Sequence, residues 1–163
     1  MNITTFTPDR FIDFHTAAGQ AVAWRLNGGP EAEVDRYSQQ IEMIRSKLER
    51  CNSILSPTAG IMGESDNRSR DGLETGIIRI DELERKIAAT NALAAEIDTA
   101  ADRAGLTHDD MRLLAIRYGQ HKGGRGEWAR VARDELHMER SAIYERVPEL
   151  ERRLAEMMWP EAA

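Results

Sequence analysis

Apolar residues recur every seven positions in two long segments of the chain, and this spacing restricts both segments to long helices that pack along one side. In residues 34–55 the repeat is filled by Val34, Ile41, Leu48 and Leu55, and three positions further on by Tyr37, Ile44 and Cys51. In residues 73–104 the first position of the repeat is filled by Leu73, Ile80, Ile87, Ala94 and Ala101. The second position is filled by Leu83 and Ile97, and also by the less apolar Gly76, Thr90 and Ala104. The pattern predicts two helices that share an apolar seam.

The segment between these repeats is predicted to be a loop. Residues 56–72 are rich in Gly, Ser, Pro and Asp and follow no apolar period. Two helices of similar length joined by such a loop most simply form an antiparallel hairpin, which we place at residues 30–105. The residues expected to be buried between its helices are Ile41, Ile44, Leu48, Ile80, Leu83 and Ile87.

Another helix is predicted on the N-terminal side of the hairpin. Thr7, Pro8 and Asp9 have the pattern of an N-cap, a proline at the first helical position and an acid in the first turn. Gly28-Gly29 ends the apolar pattern, and Pro30 opens the next helix. The apolar residues of the predicted helix are Phe11, Phe14, Ala18, Ala21, Val22 and Leu26.

On the C-terminal side, Gly105 ends the hairpin and Thr107 to Asp110 resemble a capping box with Asp in place of Glu. The helix that follows carries Met111, Leu113, Leu114, Ile116 and Tyr118. Because no segment alternates convincingly between apolar and polar residues, we predict an all-α fold. Its expected parts are an N-terminal helix at 1–29, the helical hairpin at 30–105 and a C-terminal module at 106–163.

Composition favours a protein of a reducing compartment. The single cysteine, Cys51, excludes an intramolecular disulfide framework. The sequence contains no signal-peptide pattern and no run of 18 apolar residues that would span a bilayer. We therefore expect a soluble, cytoplasmic protein that has no membrane partner.

Charge is unevenly distributed along the chain. The formal net charge is −6, yet residues 112–146 carry eight Lys and Arg against five Asp and Glu, a balance of +3 that leaves −9 on the remainder. A locally basic C-terminal module on an acidic body permits contact with nucleic-acid phosphates there. The small excess predicts weak non-specific binding by this module alone.

Residues 127–147 have the pattern of a helix-turn-helix. One apolar stripe is formed by Trp128, Val131, Ala132 and Leu136, and a second by Ile143 and Val147. The few residues between the stripes are too few for antiparallel bundle helices but suit a second helix that crosses the first and enters a major groove. A plain helical corner is the competing interpretation. Pro148 is predicted to end or kink the second helix, and a last helix would then carry Leu150, Leu154, Met157, Met158 and Trp159.

This interpretation assigns candidate contacts to double-stranded DNA. Arg140, Ser141 and Tyr144 lie off the apolar stripe at the start of the second helix, where base edges are read, and Arg146 is expected at the groove margin. The competing interpretation of Arg140 is that it forms an exposed ion pair with Glu139 or Glu145. The residues expected to hold phosphates are Lys122, Arg125, Arg130 and Arg133.

The order of motifs in this part of the chain resembles region 4 of sigma factors. The motifs are Leu113-Leu114-x-x-Arg117-Tyr118, Trp128-x-x-Val131-Ala132, Leu136, Ile143, Leu150 and Leu154. The chain looks most like the RinA/ArpU-type late-gene transcription regulators of bacteriophages, whose helical N-terminal part often contains a heptad-rich hairpin interrupted by a Ser/Gly/Pro loop. The resemblance covers about residues 34–158, and the helix predicted at 8–26 is additional.

The chain departs from the sigma-like pattern at three places. The loop at 119–126 is longer and richer in glycine, and Pro148 is expected to end or kink the second helix. Ala132 and Leu136 are four residues apart instead of three, with no glycine after Leu136. The last two departures bear on the length and direction of the recognition helix.

The resemblance implies a phage-derived transcription regulator that binds promoter DNA through its C-terminal module. Its hairpin would engage bacterial RNA polymerase or a second protomer as a homo-oligomer. Two alternatives remain open at this stage. One is a small terminase-like subunit of DNA packaging, and the other is a structural helical adaptor that binds no DNA.

Enzymatic activity is not expected. No nucleophile, base and orienting group form a recognisable set, so no catalytic residue is assigned. The histidines and Cys51 lack metal-ligand spacing, and residues 123–126 lack the Lys-Ser/Thr ending of a phosphate-binding loop. We accordingly predict no metal and no cofactor.

Overall fold

The computed structural model describes residues 13–54, 66–121 and 126–161, and these ranges form six α-helices without a strand. The helices are α1 (Phe14–Leu26), α2 (Gly29–Ile54), α3 (Asp66–Arg103), α4 (His108–Arg117), α5 (Glu127–Leu136) and α6 (Arg140–Met158). The prediction of an all-α fold is confirmed.

The first helix begins later than its sequence pattern predicts. The Asp13 backbone is extended, and its carboxylate accepts a hydrogen bond of 2.7 Å from the backbone N–H of Thr16, which makes Asp13 the N-cap of α1. The helix that carries Ala18 and Val22 therefore starts at Phe14. The start predicted at residues 7–9 lies outside the described residues.

The capping box predicted for α4 is confirmed. The Thr107 hydroxyl oxygen accepts a hydrogen bond of 3.2 Å from the backbone N–H of Asp110, and the Asp110 carboxylate accepts one of 3.0 Å from the backbone N–H of Thr107. The two residues thus satisfy backbone donors that the first turn of a helix otherwise leaves unpaired.

The chain divides into two compact units, and one of them is built from both ends of the sequence. The terminal unit comprises Met1–Pro30 and Ala92–Ala163, and the inserted unit comprises Glu31–Asn91. These boundaries differ from the predicted parts 1–29, 30–105 and 106–163. The difference arises because α1 packs against α4 and α6, so that it belongs to the same core as the C-terminal helices.

The core of the terminal unit is apolar and closely packed. Its buried residues are Ala18, Ala21, Val22, Ile97, Ala100, Ala101, Ala104, Leu106, Leu113, Leu114, Ile116, Ala132, Ile143, Val147, Leu150, Leu154, Ala155 and Met158. The buried positions of α1 are alanine, glycine and valine. At Gly19 a β-carbon would clash with the ring of Tyr118, so the small residues allow close approach between helices.

In the inserted unit, α2 and α3 contact each other in reverse order along the chain. The Thr90 hydroxyl donates a hydrogen bond of 3.2 Å to the Glu33 carboxylate, and Lys86 lies over the Tyr37 ring. Further along, Arg45 forms an ion pair with Glu84, and Leu48 lies beside Gly76. This is the contact order of an antiparallel pair.

Burial along this pair is less complete than the heptad pattern predicts. Ile41 and Leu83 are buried, whereas the other predicted core residues, Ile44, Leu48, Ile80 and Ile87, are only half-buried. A seam between two helices stays open along its sides, because neither helix can cover the full circumference of the other.

The loop predicted at 56–72 is shorter than expected. Residues 55–65 lie outside the described residues, but α3 already begins at Asp66, so the loop assignment of residues 66–72 is wrong. A single glycine such as Gly72 costs a helix about 1 kcal/mol, which a helix of 38 residues offsets.

Pro148 was predicted to end or kink the second helix, and the predicted end is wrong, since α6 runs from Arg140 to Met158 with the proline inside it. Buried residues on both sides of the proline share the core of the terminal unit: Ile143 and Val147 before it, and Leu150, Leu154 and Met158 after it. Their burial outweighs the missing backbone N–H of one residue. The recognition helix and the predicted last helix are therefore one element.

Candidate nucleic-acid interface

A tight turn of three residues joins α5 to α6, at His137 to Glu139. His137 ends α5 in the left-handed conformation, with φ 54° and ψ 31°. Glycine commonly takes this position at the end of a helix because it has no β-carbon. His137 thus takes the conformation of the glycine that the sequence lacks after Leu136, and the turn stays short.

The first turns of α6 separate an anchoring face from an exposed face. Ile143 and Val147 are buried, while Arg140, Ser141 and Tyr144 are exposed. Because residues four apart share one side of a helix, Arg140 and Tyr144 lie next to each other. The structure therefore brings together the three residues that the sequence assigns to base contacts.

The side chains of Arg140 and Tyr144 are held by ring contacts. The Arg140 guanidinium lies 5.7 Å from the Tyr144 ring centroid, and the Tyr144 ring meets Trp128 of α5 edge to face at 5.3 Å. Among the described residues Arg140 forms no ion pair, so the alternative pairing with Glu139 or Glu145 is not observed there.

Arg117, at the end of α4, also contacts aromatic rings, although no such contact was predicted for it from the sequence. Its guanidinium lies 4.6 Å from the Trp128 ring centroid and 5.4 Å from that of Tyr118. The sequence did contain a signal for this contact. Arg117 ends one helix and Trp128 lies in the first turn of the next, so a turn between α4 and α5 brings them close together.

A buried hydrogen bond fixes the end of α4 that carries Arg117. The Tyr118 hydroxyl donates to the Glu151 carboxylate of α6 at 2.5 Å, and Glu151 is 8% exposed. Burial raises the pKa of Glu151, although the Tyr118 hydrogen bond and the charge of Arg117 oppose the rise. Burial and the same carboxylate raise the pKa of Tyr118 well above its usual range. The tyrosine therefore remains the donor.

Two predicted phosphate contacts, Arg130 and Arg133, lie on the exposed face of α5. Arg130 donates to Glu127 at 2.9 Å, and this hydrogen bond raises its pKa. Arg133 pairs with the adjacent Asp134 at 3.2 Å. Both guanidinium groups are exposed, and water screens exposed pairs of this kind so strongly that they hold the side chains only weakly. A phosphate can therefore displace the carboxylates.

Arg146 is held by a carboxylate of another helix, since its guanidinium faces the N-terminus of α4, and its place at a groove margin stays a prediction. Its Nε donates to Asp110 Oδ1 at 2.9 Å and its Nη2 to Asp110 Oδ2 at 3.1 Å. Burial alone would raise the pKa of Asp110, but the hydrogen bonds from Arg146 and Thr107 outweigh it and lower that pKa. This two-point pair binds α6 to α4, so we assign Arg146 a structural role.

The remaining predicted phosphate contacts, Lys122 and Arg125, lie outside the described residues. Their part in an interface stays a prediction. Within the described ranges, no cluster of His, Cys, Asp and Glu is suited to hold a metal ion. None of the helices in those ranges combines the length and the apolar character needed to cross a membrane.

Comparisons of the chain with protein-family models, curated proteins and solved structures find no match.

Proposed function

We propose that this protein is a sequence-specific DNA-binding transcription regulator that inserts the first turns of α6 into the major groove. The observation that carries the proposal is the joint exposure of Arg140, Ser141 and Tyr144 on a helix anchored by Ile143 and Val147. A turn of three residues sets this helix against α5, which is the arrangement that helix-turn-helix proteins use.

Arg140 is the proposed base-reading residue. Arginine meets O6 and N7 of guanine through two parallel hydrogen bonds, a geometry that lysine cannot copy. The contact with Tyr144 reduces the number of conformations open to the Arg140 side chain. Since Tyr144 is itself held against Trp128, less entropy is lost when the arginine orders on a base.

The biological setting is proposed from the resemblance to phage late-gene regulators. Promoter DNA is then the ligand of the terminal unit. The inserted unit contacts bacterial RNA polymerase or a second protomer, for which its half-buried heptad positions and the exposed Met43, Ile77 and Ile78 supply apolar surface.

The proposal is tested by selecting sequences that the full chain retains from random duplex DNA. With the selected site in hand, Arg140→Ala should weaken binding to it by about 1–3 kcal/mol, or roughly 5- to 150-fold, with little effect on random duplex. Arg152→Ala is the matched control, because Arg152 lies further along the same helix and pairs with Glu156. It should leave both affinities unchanged.

Two results would count against this function. Retention of no duplex DNA would contradict the proposal and favour a helical adaptor. Equal losses on selected and random DNA would make Arg140 a phosphate contact and leave the sequence discrimination unexplained.

A further inference from the structure

We infer that Arg117 is a phosphate-binding residue of the duplex interface, held in position by its stacking on Trp128. The inference rests on the proposed function and adds a residue from a third helix to the DNA-binding surface. Together Arg117, Trp128, Tyr144 and Arg140 form what we term the arginine–aromatic ladder.

The ladder is continuous from α4 to α6. Arg117 lies 4.6 Å from the Trp128 ring centroid, Trp128 lies 5.3 Å from Tyr144, and Arg140 lies 5.7 Å from Tyr144. Trp128 is half-buried and packs against the core of the terminal unit, so it forms the fixed part of the ladder. An arginine therefore stands at each end of one aromatic pair.

The N–H donors of Arg117 differ from those of the other nearby arginines in their partners. Arg130, Arg133 and Arg146 each bind a carboxylate, whereas Arg117 forms no ion pair within the part of the chain that the structure describes. A guanidinium that stacks face-on against a ring keeps the N–H groups at its edge available. Those groups suit the paired oxygens of a phosphate, and the ring reduces the entropy lost on binding.

The position of Trp128 places Arg117 beside the groove rather than in it. In a helix-turn-helix the first helix crosses the DNA backbone, while the start of the second helix reads bases. Trp128 belongs to the first turn of α5 and touches Tyr144 at the start of α6. Arg117, on the α4 side of Trp128, is thus suited to the sugar–phosphate strand that borders the groove. Arg140 at the other end faces the bases.

The experiment is a salt titration of duplex binding by the full chain, on the selected site and on random DNA. Arg117→Ala should weaken both duplexes alike, roughly three- to tenfold, and should flatten the dependence of log affinity on log salt by about one unit. Arg117→Lys should keep the salt slope, because the charge remains. It should lose part of the affinity, because an ammonium is not held in a planar stack.

Arg152→Ala removes the same charge elsewhere in the terminal unit and should leave the salt slope unchanged. Thermal melting of each variant controls for folding. Arg117→Ala should lower the melting temperature only slightly, because Arg117 is exposed and loses its ring contacts and its attraction for Glu151. A strongly lowered melting temperature together with an unchanged salt slope would assign Arg117 to the fold and overturn the inference.

The remaining outcomes separate this inference from the proposed function. If the wild type binds no duplex, both fail. If the wild type binds and Arg117→Ala matches Arg152→Ala in affinity and slope, the inference fails while the proposed function stands. A loss confined to the selected site would make Arg117 a base-reading residue and overturn its assignment to phosphate.

Discussion

The Asp110 carboxylate forms hydrogen bonds with the N-cap residue of α4 and with a residue of α6. It caps the first turn of α4 and also receives both hydrogen bonds from Arg146 of α6. The residue is 7% exposed, so its charge is stabilised almost wholly by these partners and by the N-terminal end of the helix dipole. Such a carboxylate links the protonation of one side chain to the stability of the terminal unit.

The free energy of unfolding should therefore decrease in acid, because Asp110 becomes protonated. Its pKa is lowered in the folded protein, so in that range the unfolded chain binds more protons than the folded chain. The contribution is complete above the ordinary aspartate pKa of about 3.9 and is lost as pH falls through the folded pKa. Urea unfolding should show that Asp110→Asn costs about 1–3 kcal/mol at pH 7, and that this difference narrows towards pH 3. A difference that is constant over this range would contradict the assignment.

Glu151 is a control for that measurement, because its contribution to stability should depend on pH in the opposite direction. Its pKa is raised, so its contribution to stability is present at low pH and is lost as pH rises through the folded pKa. Glu151→Gln should therefore gain stability relative to the wild type at neutral pH and lose this advantage in acid.

At the scale of elements, α6 contains an interior proline that reduces its own stability. Pro148 has no N–H to donate to the Tyr144 carbonyl four residues earlier, although the helix continues on both sides. The same tyrosine is part of the arginine–aromatic ladder. The proline therefore lies one turn after the residues proposed to read DNA.

Pro148→Ala should stabilise the protein by about 1–2 kcal/mol, because it restores a helical hydrogen bond at an exposed position. That gain is partly offset by the greater freedom of the unfolded chain. Denaturant unfolding measures the effect. Glu145→Ala, at an exposed residue of the same helix for which the structure shows no ion pair among the described residues, is the control and is expected to change little. Destabilisation by Pro148→Ala would show that the core requires the local shape that proline imposes.

Periodicity predicted which segments are helical, and the outward positions of Arg140, Ser141 and Tyr144 followed from it. Predictions at Gly72 and Pro148 failed because such residues change the stability of a helix by only about 1–3 kcal/mol. The length of α3 offsets the cost of Gly72, and the burial of Val147, Leu150 and their neighbours offsets that of Pro148. Pairings between distant residues, such as Arg146 with Asp110, depend on how helices pack. No spacing rule within one helix could reveal them.

At the scale of the whole molecule, the terminal unit is discontinuous in sequence. The core residues named above for this unit all lie outside Glu31–Asn91. Near the two ends of that segment, Thr90 and Glu33 share a hydrogen bond of 3.2 Å, so the chain leaves and returns at nearby points. A short linker is thus expected to span the two ends of the inserted unit.

Excision of residues 31–91, with a short Gly/Ser linker between Pro30 and Ala92, should leave a terminal unit that unfolds cooperatively and retains its helices. Circular dichroism and urea unfolding measure this outcome. Deletion of residues 1–27 is the contrasting variant, since it removes Ala18, Ala21 and Val22 from the core and should abolish cooperative unfolding. If the excised chain unfolds without a transition, the terminal unit depends on the inserted unit.

The packing of α1 against α4 and α6 also sets an order of events during synthesis. Residues 14–26 are synthesised before residues 108–158, which contain their core partners. Contacts between α2 and α3 become possible earlier than those of α1, whose alanine-rich surface stays uncovered until α4 and α6 have been made. Because closing so long a separation slows folding, the terminal unit should fold slowly for an all-helical protein.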